Sequence, residues 1–368
     1  DQIHAGSATI TFSGGMSVES GSISASGGMI SLGNTGSISA DGILDAGNAN
    51  LELNAGLNVT SSGILKTNNS TTLTLNNNPL DFSGGAAASG GVLETGGMVT
   101  LDGMTFDEKS TIKLTSDSSL SSSNPVTVKT VELGSYYMGL ANETTDLTIA
   151  GSLTINAGID TGLADLTLNG VLNVLQGGIS SSGGTITFGA GSNGSSFSSA
   201  SGMELTDTDF ALQTDINIHY LKLEGTSAIQ TNANTLSPVY LEIGTDTELD
   251  LTNAVNSETG IDLVGDSTIN YTGGDLLVKY ISVGGFSLTL NQNITSLTTE
   301  DIWLTNDYDS NGPNYMSNTG RFFAQGVTVT LKNQLWLEKA KLYMGGGKLV
   351  LLQGGEIQDG GELDLTNS

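Results

Sequence analysis

Residues 221–300 read LKLEGTSAIQTNANTLSPVY, LEIGTDTELDLTNAVNSETG, IDLVGDSTINYTGGDLLVKY and ISVGGFSLTLNQNITSLTTE, four twenties that each open on an apolar, a polar and an apolar residue. Alternation over three residues turns the two apolar side chains of each opening to one face of a strand and the middle one to the other. The pairs Leu221/Leu223, Leu241/Ile243, Ile261/Leu263 and Ile281/Val283 recur every 20 residues, and Ile302/Leu304 follows after 21. A strand that meets its own equivalent one period later, always in the same direction, predicts a parallel stack.

Working outward, the same triplet stands at Ile10/Phe12, Ile30/Leu32, Leu51/Leu53, Leu73/Leu75 and Val99/Leu101, in steps of 20, 21, 22 and 26. It returns at Leu147/Ile149, Leu166/Leu168 and Ile186/Phe188, and again at Val327/Val329 and Leu349/Leu351. Within the regular block a second apolar point falls at Ile229, Leu249 and Ile269, with Leu288 and Leu290 around the next slot, and a third near Leu236, Val255, Leu276 and Leu297. Three short strands per period predict an all-β fold, a parallel β-helix or β-solenoid of about 20–22 residues per three-sided coil. At about 4.8 Å per coil, some 16 to 18 coils would stack over about 80 Å. No coil can bury its inward face alone, so residues 1–368 are expected to form a single continuous solenoid. Loop excursions are expected near 102–142 and 189–213, where the triplets crowd or blur, and at 305–320. An antiparallel sandwich also uses short, evenly spaced strands, but Asn-Gly and Asp-Gly hairpin signals are few here.

Composition bounds the function. Of 368 residues, 51 are glycine, 4 proline and none cysteine, and only 13% are charged, so polarity comes from Ser, Thr, Asn and Gly, residues of turns and strand edges. The formal net charge of −27 opposes phosphate backbones and anionic membrane surfaces, which excludes nucleic acid as a natural partner. No apolar run reaches 18 residues, so no transmembrane helix is expected. The chain opens DQIHAGSATI without an initiator methionine or a signal-like segment, and reads as a processed or excerpted chain.

Catalytic material is thin. His4 and His219 are the only histidines and Arg321 the only arginine, so a histidine-dependent triad has little to be built from. Acidic residues such as Asp207, Asp209, Asp246 and Glu248 are scattered singly through turns rather than paired, and no catalytic residue is assigned. The run D-Y-D-S-N-G places Asp307, Asp309 and Asn311 at alternate positions ahead of Gly312, resembling the first half of an EF-hand-type calcium loop. The position eleven after Asp307 holds Asn318 in place of the bidentate glutamate, so a calcium site and a plain polar turn both stand open. No other cofactor is expected.

The outward residues of the triplets run Thr11, Ser31, Glu52, Thr74 and Thr100, then Thr148, Thr167 and Thr187, then Lys222, Glu242, Asp262, Ser282 and Trp303. Charges break the threonine row, which weighs against an ice-binding array. Aromatic and basic residues gather late. Trp303, Tyr308, Tyr315, Trp336 and Tyr343 form the candidate interaction surface, and six of the 11 basic residues lie from Lys279 onward.

The stretch LTIAGSLTINAGIDTGLADLTLNGVLNV, residues 147–174, resembles in repeat style the passenger regions of autotransporters and other large bacterial surface adhesins. FSGGAAASGG, residues 82–91, is faintly similar to the glycine-alanine motif of polymorphic outer-membrane proteins. The resemblance covers most of the chain but rests on no specific motif. It implies a right-handed parallel β-helix outside the cell, at a bacterial surface. The expected function is structural or adhesive and non-catalytic: a stalk, an adhesin or a self-assembling filament subunit. Its partners would be further copies packed head to tail, or a glycan or protein of a host or cell surface. The competing reading is a polysaccharide-binding or polysaccharide-degrading β-helix.

Overall fold

The computed structural model describes residues 2–68, 71–83, 89–141, 145–244, 247–251, 255–272, 274–291, 293–305, 320–358 and 360–365. The protein is all-β, with parallel sheets stacked as a β-solenoid of about 16 turns. The single helical element among the described residues is a short 3-10 turn, Ala190–Ser192. Among the described residues, no helix is long and apolar enough to cross a membrane. The chain divides into two compact units, residues 1–180 with 186–193, and residues 181–185 with 194–368.

In the first unit the chain visits three faces in turn. Strands Gln2–His4, Ile10–Phe12 and Met16–Val18 make one coil, and Ser22–Ser24, Met29–Leu32 and Gly36–Ile38 lie in parallel register upon them. Ile10, Ile30, Leu51 and Leu73 stand in one cross-strand column, as the triplets predict. Ile30, Leu32, Leu51 and Leu53 are wholly buried. Burying one such side chain contributes roughly 1.5–3 kcal/mol, and only the stack provides the cover.

Val99/Leu101 leaves this column. Val99 belongs to the long strand Val92–Thr100, where it pairs with Leu120 of Thr111–Ser121. The second of these long strands then meets two shorter ones, Thr130–Glu132 beside its first half and Tyr137–Leu140 beside its second. The step of 26 is the trace of that change of face. Within residues 102–142, expected as a loop excursion, the strands from Met104–Thr105 to Tyr137–Leu140 thus supply rungs of the stack, and Val126–Val128 founds the column that continues through Leu147 and Leu166 to Ile186. Gly177 marks how closely the coils approach: at φ 73°, a Cβ there would lie 1.3 Å from the Ala157 carbonyl oxygen, so only glycine fits.

In the second unit one sheet carries Ser201–Thr206, Ile216–Glu224, Leu236–Ile243, Gly260–Leu263, Tyr280–Ser282, Asp301–Thr305, Leu335–Glu338 and Gly355–Gln358. Met203, Leu221, Leu241, Ile261, Ile281, Ile302 and Leu335 form its buried column, so the opening stretch stacks in the phase its sequence predicts. Residues 201–213, inside another expected excursion, are strands Ser201–Thr206 and Asp209–Leu212. The second apolar point stacks Leu249, Ile269 and Leu290, and the third stacks Leu276, Leu297, Val329 and Leu349. Val329 and Leu349 therefore belong to the third face, not to the first where the triplet spacing alone would put them. Between Asp301–Thr305 on the first face and Gly320–Phe323 on the second, residues 306–319 lie outside the described residues.

The serine and threonine content has a structural use. Thr259 Oγ1 donates to the Pro238 carbonyl at 2.7 Å, Ser267 Oγ to Gly244 at 2.8 Å and Thr299 Oγ1 to Lys279 at 3.0 Å. Each buried hydroxyl satisfies a carbonyl of the preceding coil where the chain turns between faces.

Candidate functional site

The outward residues of the first sheet in the second unit form a ladder. Glu204, Lys222, Glu242, Asp262, Ser282, Trp303, Trp336 and Glu356 are successive cross-strand partners, so side chains far apart in sequence stand about 4.8 Å apart. Trp303 and Trp336 occupy adjacent rungs. Beside this row runs a second, Gly202, Tyr220, Tyr240, Gly260, Tyr280 and Asp301.

The second row explains why a glycine is followed by a tyrosine at two of its steps. A Cβ on Gly260 would come within 2.2 Å of the Tyr280 ring, so that ring lies over the glycine and carries its hydroxyl to Asp262 Oδ2 at 2.8 Å. Tyr220 lies against Gly202 and donates to Glu242 Oε2 at 2.9 Å. The first unit repeats the device: the Tyr137 ring sits over Gly158, and its hydroxyl engages Asp160 and Ser180. Both Gly-Ile-Asp runs, at 158–160 and 260–262, thus serve as seats for a tyrosine.

Tyr280 packs on Trp303 with centroids 5.1 Å apart and planes tilted by 34°, and His219 meets Tyr240 edge-on at 5.3 Å. Trp303 is 37% and Tyr240 42% exposed, so the face presents rings rather than hiding them. Ser282, expected outward and solvated, is outward but buried among its neighbours. The Trp336 indole N–H is buried without a hydrogen-bond partner among the described residues.

Charge on this face is mostly of one sign. The strands of the sheet bear Glu204, Glu224, Glu242, Asp262, Asp301, Glu338 and Glu356 against a single lysine. Lys222 bridges Glu224 at 3.1 Å and Glu242 at 3.4 Å; its hydrogen bond to Glu224, aided by Glu242, raises its pKa against the opposing effect of burial. Burial lifts the Asp262 carboxyl above the usual carboxylate range, Glu242 adds to the lift, and the donors Tyr280 and Ser282 offset part of it. Burial, the bond to Glu242 and the fields of Glu204 and Glu224 push the Tyr220 hydroxyl well above its ordinary value.

Of the residues expected to form the interaction surface, the structure brings Trp303 and Trp336 together on this ladder. Tyr343 stands on another sheet, stacked on Phe323 with centroids 4.8 Å apart. Tyr308 and Tyr315, and the calcium candidates Asp307, Asp309 and Asn311, lie outside the described residues. Among the described residues, no group of three or more His, Asp or Glu side chains is placed to hold a metal ion. Sequence reasoning missed Tyr220, Tyr240 and Tyr280. Their signal was available, since each immediately precedes a triplet and the alternation turns that position outward.

A groove of about 380 Å³ opens beside the ladder, lined by Phe197, His219, Pro238, Val239, Asn256 and Glu258 among others. The chemistry the whole face offers is stacking, cation–π contact and carboxylate hydrogen bonding on a rigid backbone grid. No protein family, no curated protein and no solved structure matches the chain.

Proposed function

We propose that the protein is a non-catalytic structural and adhesive solenoid of a bacterial cell surface, with the ladder face as its point of attachment to a partner. The observation that carries this reading is the placement of Trp303 and Trp336 on adjacent rungs of a parallel sheet, with Tyr280 packed against the exposed Trp303 ring and carboxylates on the rungs around them. A parallel stack holds such a row at fixed spacing with little entropy left to lose on binding. The low charge density and the Ser, Thr, Asn and Gly surface fit display outside the cell. The same aromatic row supports polysaccharide binding as the second reading, because sugar rings stack on exposed indole and phenol faces.

Self-assembly is the other arm of the proposal. Strands Lys348–Leu351, Gly355–Gln358 and Glu362–Asp364 leave Leu351, Leu352, Ile357 and Leu365 exposed. A further coil, contributed by more of the same chain or by a second copy, would cover them by strand addition. Negative-stain images taken across protein and salt concentration test this arm; monodisperse particles throughout would remove the head-to-tail filament. For attachment, the double variant W303A/W336A is compared with the parent on a glycan array and on immobilised cells. Attachment is expected to fall at least about tenfold, and an unchanged profile in both assays would remove the ladder from the reading.

A further inference from the structure

The carboxylates on the rungs around the two tryptophans lack a paired cation among the described residues. Among the described residues, no lysine or arginine forms an ion pair with Asp262, Asp301 or Glu356, whereas Lys222 already occupies Glu224 and Glu242 at the other end of the ladder. These three acids surround the aromatic rungs. Asp262 precedes Ser282 and Trp303 in the outer row, Glu356 follows Trp336, and Asp301 is the cross-strand partner of Tyr280. Rings attract cations through their faces, and carboxylates hold ammonium groups while repelling uronates, sulfates and phosphates.

We infer that Tyr280, Trp303 and Trp336, with Asp262, Asp301 and Glu356 around them, bind a linear polysaccharide of protonated amino sugars laid along the stacking direction. This rests on the adhesive, glycan-facing reading and names its ligand class. Periodicity decides between a cationic sugar chain and a cationic peptide. The rungs repeat at about 4.8 Å, while side chains on one face of an extended peptide repeat at about 6.6 Å and fall out of step after one rung. A hexose unit is comparable in length to one rung, so a sugar chain stays close to step over the few rungs of the patch where an extended peptide does not. The sugars' C–H faces stack on the indoles, and their ammonium groups reach the flanking acids.

The test is isothermal titration at pH 6 and low salt with four hexamers: β-linked glucosamine, its N-acetylated form, a uronic acid hexamer and hexalysine. The glucosamine hexamer is expected to bind at least about tenfold tighter than the N-acetylated one, and the uronic acid hexamer not at all. The variant D262N/E356Q should weaken the glucosamine hexamer about tenfold and leave the N-acetylated one unchanged, while W303A weakens both. Cooperative melting of each variant, with an unchanged β-sheet circular-dichroism spectrum, establishes that the fold is retained. Equal binding of both glucosamine forms, tight binding of the uronic acid hexamer, or no effect of D262N/E356Q would overturn the charge assignment and leave the glycan reading standing. Absence of binding by every sugar removes that reading too. Hexalysine binding that exceeds glucosamine binding would overturn the inference in favour of a basic protein partner.

Discussion

At the scale of single residues, the ladder depends on a repeated exchange between glycine and tyrosine. Gly260 has no side chain because the Tyr280 ring occupies that space, and the ring in turn delivers a proton donor to Asp262. Replacing Gly260 by alanine drives a methyl into the ring, and the expected loss is about 1–3 kcal/mol. In a Y280A background the same substitution should be nearly neutral, a coupling of about 1–2 kcal/mol that a double-mutant cycle in urea would measure. Equal costs in both backgrounds would show that the ring is not what the glycine accommodates. Asp262 itself predicts a pH dependence. Because its folded pKa is raised, its ionisation opposes folding: the relative stability it gives is fully present below the ordinary carboxylate pKa of about 3.9 and is lost as pH rises through the raised folded value. D262N should therefore raise the melting temperature at pH 7 and lose that advantage at pH 3, and a variant that gains equally at both would contradict this account.

At the scale of elements, what could be read in advance depended on whether a face repeats. The triplets of residues 221–300 specified strand, direction, register and outward residue together, because each twenty has the same phase and inverting any one would bury Lys222, Glu242 or Asp262. Val99/Leu101, Val329 and Leu349 carry the same local pattern yet belong to other columns, since alternation identifies a strand without saying which face of the coil it lies on. The tryptophans were visible as outward residues. That they are adjacent was not, because Trp303 and Trp336 are 33 positions apart and only the pairing removes that distance. A coil that behaves as a unit can be excised as one. Deleting residues 241–260 joins Tyr240 to Ile261 in phase, and the protein should still melt cooperatively by circular dichroism. Deleting 241–250 alone sets the following strands on the wrong faces and should abolish folding of the second unit; two equally folded products would refute the coil as the unit of structure.

At the scale of the molecule, an acidic chain of net charge −27 without disulfides must hold itself together mainly through burial and hydrogen bonding, or recruit a counter-charge. Calcium is the proposed counter-charge at Asp307, Asp309 and Asn311. If it binds there, calcium at about 100 times its dissociation constant adds about 2.7 kcal/mol, a rise of about 5–10 °C in the melting temperature of a unit this size. Chelation should reverse the rise, and the variant D307N/D309N should not respond. A parent protein whose melting curve ignores both calcium and chelator would leave those residues a polar turn.

The two tryptophans of the chain stand on neighbouring rungs, with Tyr280 against the first. Indole emission from this protein therefore originates entirely from one patch a few rungs long, and light absorbed by Tyr280 has an acceptor at van der Waals distance. The ladder is its own optical reporter: a shift in the colour of indole emission tracks the local fate of these rungs without a label.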